Sequence, residues 1–333
     1  MNYPKEYLDL LVSLDAEYTP DALIDFGSLE DGTPTKNFTE FVYQSVRNPG
    51  NLVTLGPFEL FLIKNSEVNA FAYRYGDLSL IGIHHSLYKA FEQRLQSRIP
   101  SASDYTSGIF NSVAKHLDVE IDFFMFQIMM LFVYYHELAH LYQFEIANGN
   151  QHSAFERYNL AAGNNFEQEV HAMEIDADMF AANNVSFHIL QYWQNFPEEE
   201  RNATTLATLI IIAMTSILLL FYELGQQWHK IYFKDYDHPH ELIRAAYIIE
   251  MIINSLSTNL PEAQKVDYKV CIQSSLTIAE ELTSVANEKR PGFMQVFFAY
   301  NKEINSYLDE MKEFLNHVPY LVMHLQKDKT SAD

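Results

Sequence analysis

The residues with the most evident chemistry are His136, Glu137 and His140, in the run Tyr135-His136-Glu137-Leu138-Ala139-His140-Leu141. On an α-helix, positions four apart share a face, so both imidazoles can reach one ion. Histidines at this spacing, with a glutamate directly after the first, suit a zinc ion held by the two rings. The glutamate then projects beside the metal and is placed to take a proton from a water on it. The chemistry of such a set is hydrolysis. The neighbours Tyr135, Leu138, Ala139 and Leu141 are uncharged. Two imidazoles and a carboxylate in an apolar wall need compensation, which a metal supplies. Hydrogen-bonded core histidines would give the same five residues, so the motif needs completing from elsewhere in the chain.

A catalytic zinc takes three protein ligands. The run Glu174-Ile175-Asp176-Ala177-Asp178 offers the third. At helical periodicity Glu174 and Asp178 share a face, and Asp176 lies on the far side. With Glu174 as ligand, Asp178 falls one turn later and can accept the outer N–H of a ligating histidine. Such a contact orients the ring and raises its basicity. The residues around them (Ala172, Met173, Ile175, Ala177, Met179, Phe180, Ala181) are apolar, which argues against a solvated acidic face. His171, three residues before Glu174, is a further candidate ligand. His84 and His85 read as strand-end polar residues, and His229 and His240 have no supporting spacing.

These residues need two helices to position them. Asp118 to Asn148 reads as one long apolar helix, with Asp118 as N-cap and Gly149 as C-cap. A second helix is expected from Phe166 to about Gln191, after an irregular connection. The uncharged stretch Ala203 to Tyr222 is long enough for a membrane span. However, it contains several threonines, follows Glu198-Glu199-Glu200 and has no flanking cluster of positive charge. A central core helix, continuing toward Tyr232, is the reading preferred, with no membrane. Further helices are expected from Pro239 to about Ser255, near 261–286 and over 293–326. Before all of these, short helices and loops occupy residues 1–50. Strands follow at 58–63, 70–73 and 78–83, separated by turns at Asn65-Ser66 and Gly76-Asp77. They are expected to form a small antiparallel sheet, followed by the loop 100–108.

Sheet early and helices late make an α+β chain, predominantly helical. Its segments are 1–117 (helices and sheet), 118–258 (helical zinc-binding core) and 259–333 (C-terminal helices packed on the core), joined in one compact unit.

Composition sets limits on function. Of 333 residues, 48% are hydrophobic and 20% charged, enough for a substantial core. The formal net charge of −22 repels phosphate backbones and anionic headgroups, which argues against nucleic acid as a partner. The single cysteine, Cys271, allows no intramolecular disulfide. The first residues lack the blocks of a signal peptide, so a cytoplasmic location is expected.

His-Glu-x-x-His followed by Glu-x-x-Ala-Asp resembles the gluzincin peptidases, and more closely the HtpX and CAAX-prenyl-protease type. Asn69-Ala70-Phe71-Ala72 resembles the strand that in that family forms the edge pairing with extended substrate. His238-Pro239, with Arg244 following, resembles the family's His-Pro-x-x-x-x-Arg. These elements span 69 to 244, about half the chain. A more distant likeness is to the Lit-like phage-exclusion peptidases. The resemblance implies a zincin-like catalytic core, one zinc ion per chain and a protein or peptide substrate held along Asn69, Ala70 and Phe71. It also implies that His238 stabilises the oxyanion and that Arg244 braces a carboxylate such as Glu174. From the residues themselves, an edge strand can align a peptide by strand addition, and His238 sits where a helix N-cap would be, before Pro239 at the first helical position.

The leading expectation is thus a soluble zinc endopeptidase. A di-iron carboxylate protein is a second reading, because Glu137-x-x-His140 is half of such a site. Its other half would be Gln168-Glu169-Val170-His171, where a glutamine takes the required position. A third is a latent peptidase-fold toxin or binding module, its cleft covered by the irregular segment 148–165.

Overall fold

The computed structural model describes residues 3–47, 58–149, 167–224, 230–236, 238–283 and 292–318. Most of segment 148–165, the end of the helix expected to 326, and His229 fall outside these residues. Among the described residues the chain is predominantly helical, with a small three-stranded sheet.

The sheet comprises β1 (Phe58–Ile63), β2 (Ala70–Tyr75) and β3 (Leu78–His84). It is mixed, not antiparallel. β3 lies in the middle, parallel to β1 and antiparallel to β2. The turn residues suggest two successive hairpins, but only Gly76-Asp77 makes one. Gly76 adopts φ +58°, the left-handed conformation this tight turn requires. Residues 64–69 instead carry the chain from β1 past the position of β3 to the far side. The consequence is functional: a meander would have put β2 in the centre, whereas this order leaves it at an edge. Side chains alternate across β2. Ala70 and Ala72 face the main core, and Phe71 and Tyr73 pack in a smaller cluster with Phe61, Ile63 and Leu80 on the other face.

The helices α1 (Lys5–Leu14), α2 (Pro34–Arg47), α3 (His85–Arg98) and α4 (Asp104–Ala114) flank the sheet in sequence. The sequence pattern does not single out α3, and α4 begins inside the expected loop 100–108. Ser103, whose hydroxyl accepts from Thr106 N, caps α4.

The site rests on four helices, α5 (Ile121–Gly149), α6 (Gln168–Gln194), α7 (Ala203–Leu224) and α8 (Glu241–Asn259). α5 packs on α6 and α7, and α6 packs on α8. α5 begins at Ile121, three residues after Asp118. α7 begins where Asn202 Oδ1 accepts from Thr204 N and Thr205 N. It is apolar all round and long enough to cross a membrane, yet 83% of its most apolar window is buried inside the fold. Two of its hydroxyls bond within the helix, as Thr208 donates to Thr204 O and Ser216 to Ile212 O. The described helix runs to Leu224, and residues 230–236 are not helical.

α8 starts later than the sequence suggests. Its N-cap is His240, whose Nδ1 accepts from Leu242 N at 3.0 Å, so His238 lies outside the helix. Beyond it come α9 (Tyr268–Thr283), α10 (Phe293–Ala299) and α11 (Asn301–Leu315). One continuous apolar core runs from Ile24 to Val318.

Candidate metal centre

α5 and α6 lie side by side, and each turns one polar patch toward the other. His136 and His140 come from α5 and Glu174 from α6, and all three are buried. The two Nε2 atoms are 3.1 Å apart. Glu174 Oε2 lies 3.5 Å from His136 Nε2, and Glu174 Oε1 lies 3.4 Å from His140 Nε2. Ligand atoms about 2.0–2.1 Å from a tetrahedral zinc stand about 3.3–3.4 Å from one another. Glu174 sets a different oxygen against each ring, and the three residues form a compact group that could hold a metal ion.

The outer atoms of both rings are engaged, which turns the Nε2 atoms inward. His136 Nδ1 is 2.8 Å from Asp178 Oδ1, as the one-turn spacing from Glu174 suggests. His140 Nδ1 is 2.9 Å from Gln143 Oε1. Gln143 Nε2 in turn donates to Asp176 Oδ2 at 2.8 Å and Met173 O at 2.9 Å. The sequence motifs leave Gln143 and Asp176 out of the site. Gln143 sits three residues after His140, on the same helix face, and that spacing is a usable signal. Asp176 does point away from Glu174, but toward the next face of α5.

Arg244 forks onto Asp178, with Nε to Oδ2 and Nη2 to Oδ1 both at 2.8 Å. The same Nη2 is 3.9 Å from Glu174 Oε2. Arg244 therefore braces a carboxylate, and that carboxylate is Asp178 first and Glu174 second. Tyr247 also donates to Asp178. Burial alone would raise the Asp178 carboxyl, but Arg244 and His136 overcome it and hold the pKa down to about 2. Burial likewise opposes ionisation of Glu174, and His238, His136 and His140 together hold it well below the usual carboxylate range.

No family model, curated protein or solved structure matches the chain. What the site does must be read from its own geometry.

The centre opens into a cleft of about 280 Å³. Glu137, 7% exposed, lines it beside the candidate ligands without joining them. Burial raises its carboxyl pKa, against the pull of His136 and His140. His238 lines the same cleft, half exposed, with Nε2 3.5 Å from Glu174 Oε1. Asn69, Ala70 and Phe71 also line it, with Val68 and Ala72. Asn69 Oδ1 accepts from Ala70 N, which fixes the start of β2. The Phe71 ring turns to the far face of the sheet, stacked on Tyr18 and lying over Gly82, so its backbone is what it offers the cleft. His171 faces away from the centre, bonded to Tyr307 and to Tyr236 O.

Two expectations arise here. Replacing Gln143 by Leu leaves His140 without its orienting acceptor and should weaken zinc binding about 10- to 100-fold. Competition with a chromogenic chelator measures this; unchanged affinity would assign Gln143 to packing alone. The second concerns pH. Burial would lower the His136 pKa, but Asp178 and Glu174 outweigh it and hold the ring well above the ordinary histidine range. The proton's contribution to the metal-free fold is therefore complete below about pH 6.5 and is lost only as pH climbs through the raised value. An entering ion must displace that proton at neutral pH. Zinc affinity should rise with pH, with about one proton released per ion in calorimetry across buffers of different ionisation enthalpy. A pH-independent affinity would contradict it.

Proposed function

We propose that this chain is a zinc-dependent peptidase, an endopeptidase acting on extended protein or peptide segments in the cytoplasm. The observation that carries the reading is the convergence of two Nε2 atoms and one carboxylate at separations of 3.1, 3.5 and 3.4 Å, with a buried fourth side chain, Glu137, beside them and not among them. The edge position of β2 across the same cleft supports a substrate lying in extended form.

A zinc ion held by His136, His140 and Glu174 supplies Lewis acidity toward the scissile carbonyl and makes water easier to deprotonate. The chain's own groups do the rest. Backbone N–H and C=O groups of residues 69–72 align the peptide by strand addition. Glu137, its pKa raised by burial, takes a proton from the attacking water and passes it to the leaving amine. His238, half exposed at the cleft and fixed near Glu174, donates to the developing oxyanion. Asp178 and Gln143 hold the two rings in place, and Arg244 holds Asp178.

The di-iron reading gains nothing from this geometry, since the histidine of its second half, His171, is bonded to Tyr307 and Tyr236. The test is metal content and metal removal. The purified chain should hold one zinc, cleave unfolded casein, lose that activity to 1,10-phenanthroline and regain it with added zinc. Two irons per chain, or cleavage indifferent to the chelator, would end the proposal.

A further inference from the structure

The proposed chemistry needs β2 at a fixed distance from α5, and the sheet alone does not set that distance. Among the described residues β2 pairs with β3 only, so it is hydrogen-bonded along one edge. The face it turns toward α5 carries Ala70, Ala72 and Arg74 at alternate positions. The two alanines let the strand come close but give it little to grip. Arg74 reaches across to α5, where its Nη1 pairs with Glu145 Oε2. The same guanidinium donates from Nε to Gly76 O at 3.1 Å, so the hairpin turn holds it in place. The Arg74 side chain is 11% exposed and that of Glu145 34%, so solvent ions screen the pair only in part.

The place where this pair meets α5 gives it a role. Glu137, Leu141 and Glu145 follow one another at intervals of four and form one ridge of the helix. Glu145 lies two such steps, about 12 Å, along the axis from Glu137. Arg74 lies about 7 Å along β2 from Ala72, the last strand residue lining the cleft. Strand and helix are therefore joined just beyond the cleft, on the ridge that carries Glu137.

Resting on the peptidase reading, we infer that Arg74 and Glu145 are positioning residues, whose ion pair clasps β2 to α5 and sets the distance between a peptide lying on β2 and Glu137. Neither residue lines the cleft, so the pair acts through the strand and touches no substrate. A misplacement of about 1 Å in such an alignment can cost about 10²-fold in rate. A partly exposed pair of modest strength can therefore matter more to turnover than to folding.

The experiment compares wild type with Arg74→Met, Glu145→Gln and the charge-swapped double variant Arg74→Glu, Glu145→Arg. Arg74→Met keeps an unbranched apolar stem in place of the arginine's, and Glu145→Gln keeps the shape of the glutamate. Zinc affinity should be the same in all four proteins, because neither residue belongs to the group around His136. Amide exchange of residues 70–75, read by mass spectrometry, should quicken about fivefold in both single variants. On a casein-derived peptide that wild type cuts, kcat should fall about tenfold in both. The swapped variant should recover most of each loss, which a role in packing alone would not produce. Exchange unchanged in the single variants overturns the clasp. Exchange quickened with kcat within twofold of wild type overturns its part in positioning, as does a swapped variant no better than the singles. Absence of Glu137-dependent cleavage in wild type overturns the peptidase reading instead, and exchange then decides alone whether the clasp holds the strand.

Discussion

Replacing Glu137 by Gln should lower peptide cleavage by about 10²- to 10⁴-fold while leaving one zinc bound per chain. Gln has nearly the shape of Glu, so the buried cleft wall stays packed, but it cannot accept a proton from water. Metal retention is expected because the group that could hold the ion is His136, His140 and Glu174, and Glu137 stands outside it. In the proposed reaction the same side chain would set the acidic limb of the activity profile. Burial raises its pKa above the ordinary carboxylate value, so activity falls as pH drops through that raised value and not through the usual one. Measurement needs only zinc content, a cleavage assay and a pH series on both proteins. Full activity in the Gln variant removes Glu137 from the reaction, and loss of zinc from it would mean that Glu137 is a ligand.

Much of this site is legible in the residues themselves. Spacing of four on α5 places both rings on one face, and spacing of four on α6 places Glu174 and Asp178 together, because helical periodicity is a local property. The apolar residues around Glu174 signal burial, and it is 1% exposed. What spacing cannot give is interhelical register. Which α6 acid meets which α5 residue depends on how two helices slide and rotate against each other, and no local pattern encodes that. Asp176 faces away from Glu174 at helical periodicity, yet it reaches Gln143 on the neighbouring face of α5. The resemblance implies that Arg244 braces a carboxylate such as Glu174 without fixing which, and the guanidinium forks onto Asp178.

The order of the sheet is hidden for a similar reason. Strand residues are marked by alternation and turn chemistry, but a six-residue connection can make a hairpin or pass beyond a neighbouring strand. Residues 64–69 do the second. Helix starts depend on a single capping bond, and a cap at His240 in place of His238 moves the start of α8 by two residues. That small difference matters, because a capping His238 would be committed to backbone, whereas the observed one faces the cleft.

Replacing Arg244 by Ala should destabilise the fold by about 3–5 kcal/mol, the range for removing one member of a buried charged pair. The guanidinium makes two 2.8 Å contacts to Asp178 and reaches within 3.9 Å of Glu174. Both carboxylates are buried and the Arg244 side chain is 11% exposed, so water replaces the guanidinium poorly. Without it, two carboxylates face His136, His140 and the partly exposed His238, with one fixed positive charge fewer. Lys should rescue little, since a single ammonium cannot reproduce the two-point fork or the stacking on Phe221. Bound zinc should narrow the deficit, because the ion neutralises part of the same carboxylate charge and binds only the folded chain. Urea unfolding of wild type, Arg244→Ala and Arg244→Lys, each with and without zinc, measures both effects. A deficit below about 1 kcal/mol, typical of an exposed pair, would mean that Arg244 serves the cleft alone and that Asp178 is stabilised by His136 and Tyr247 without it.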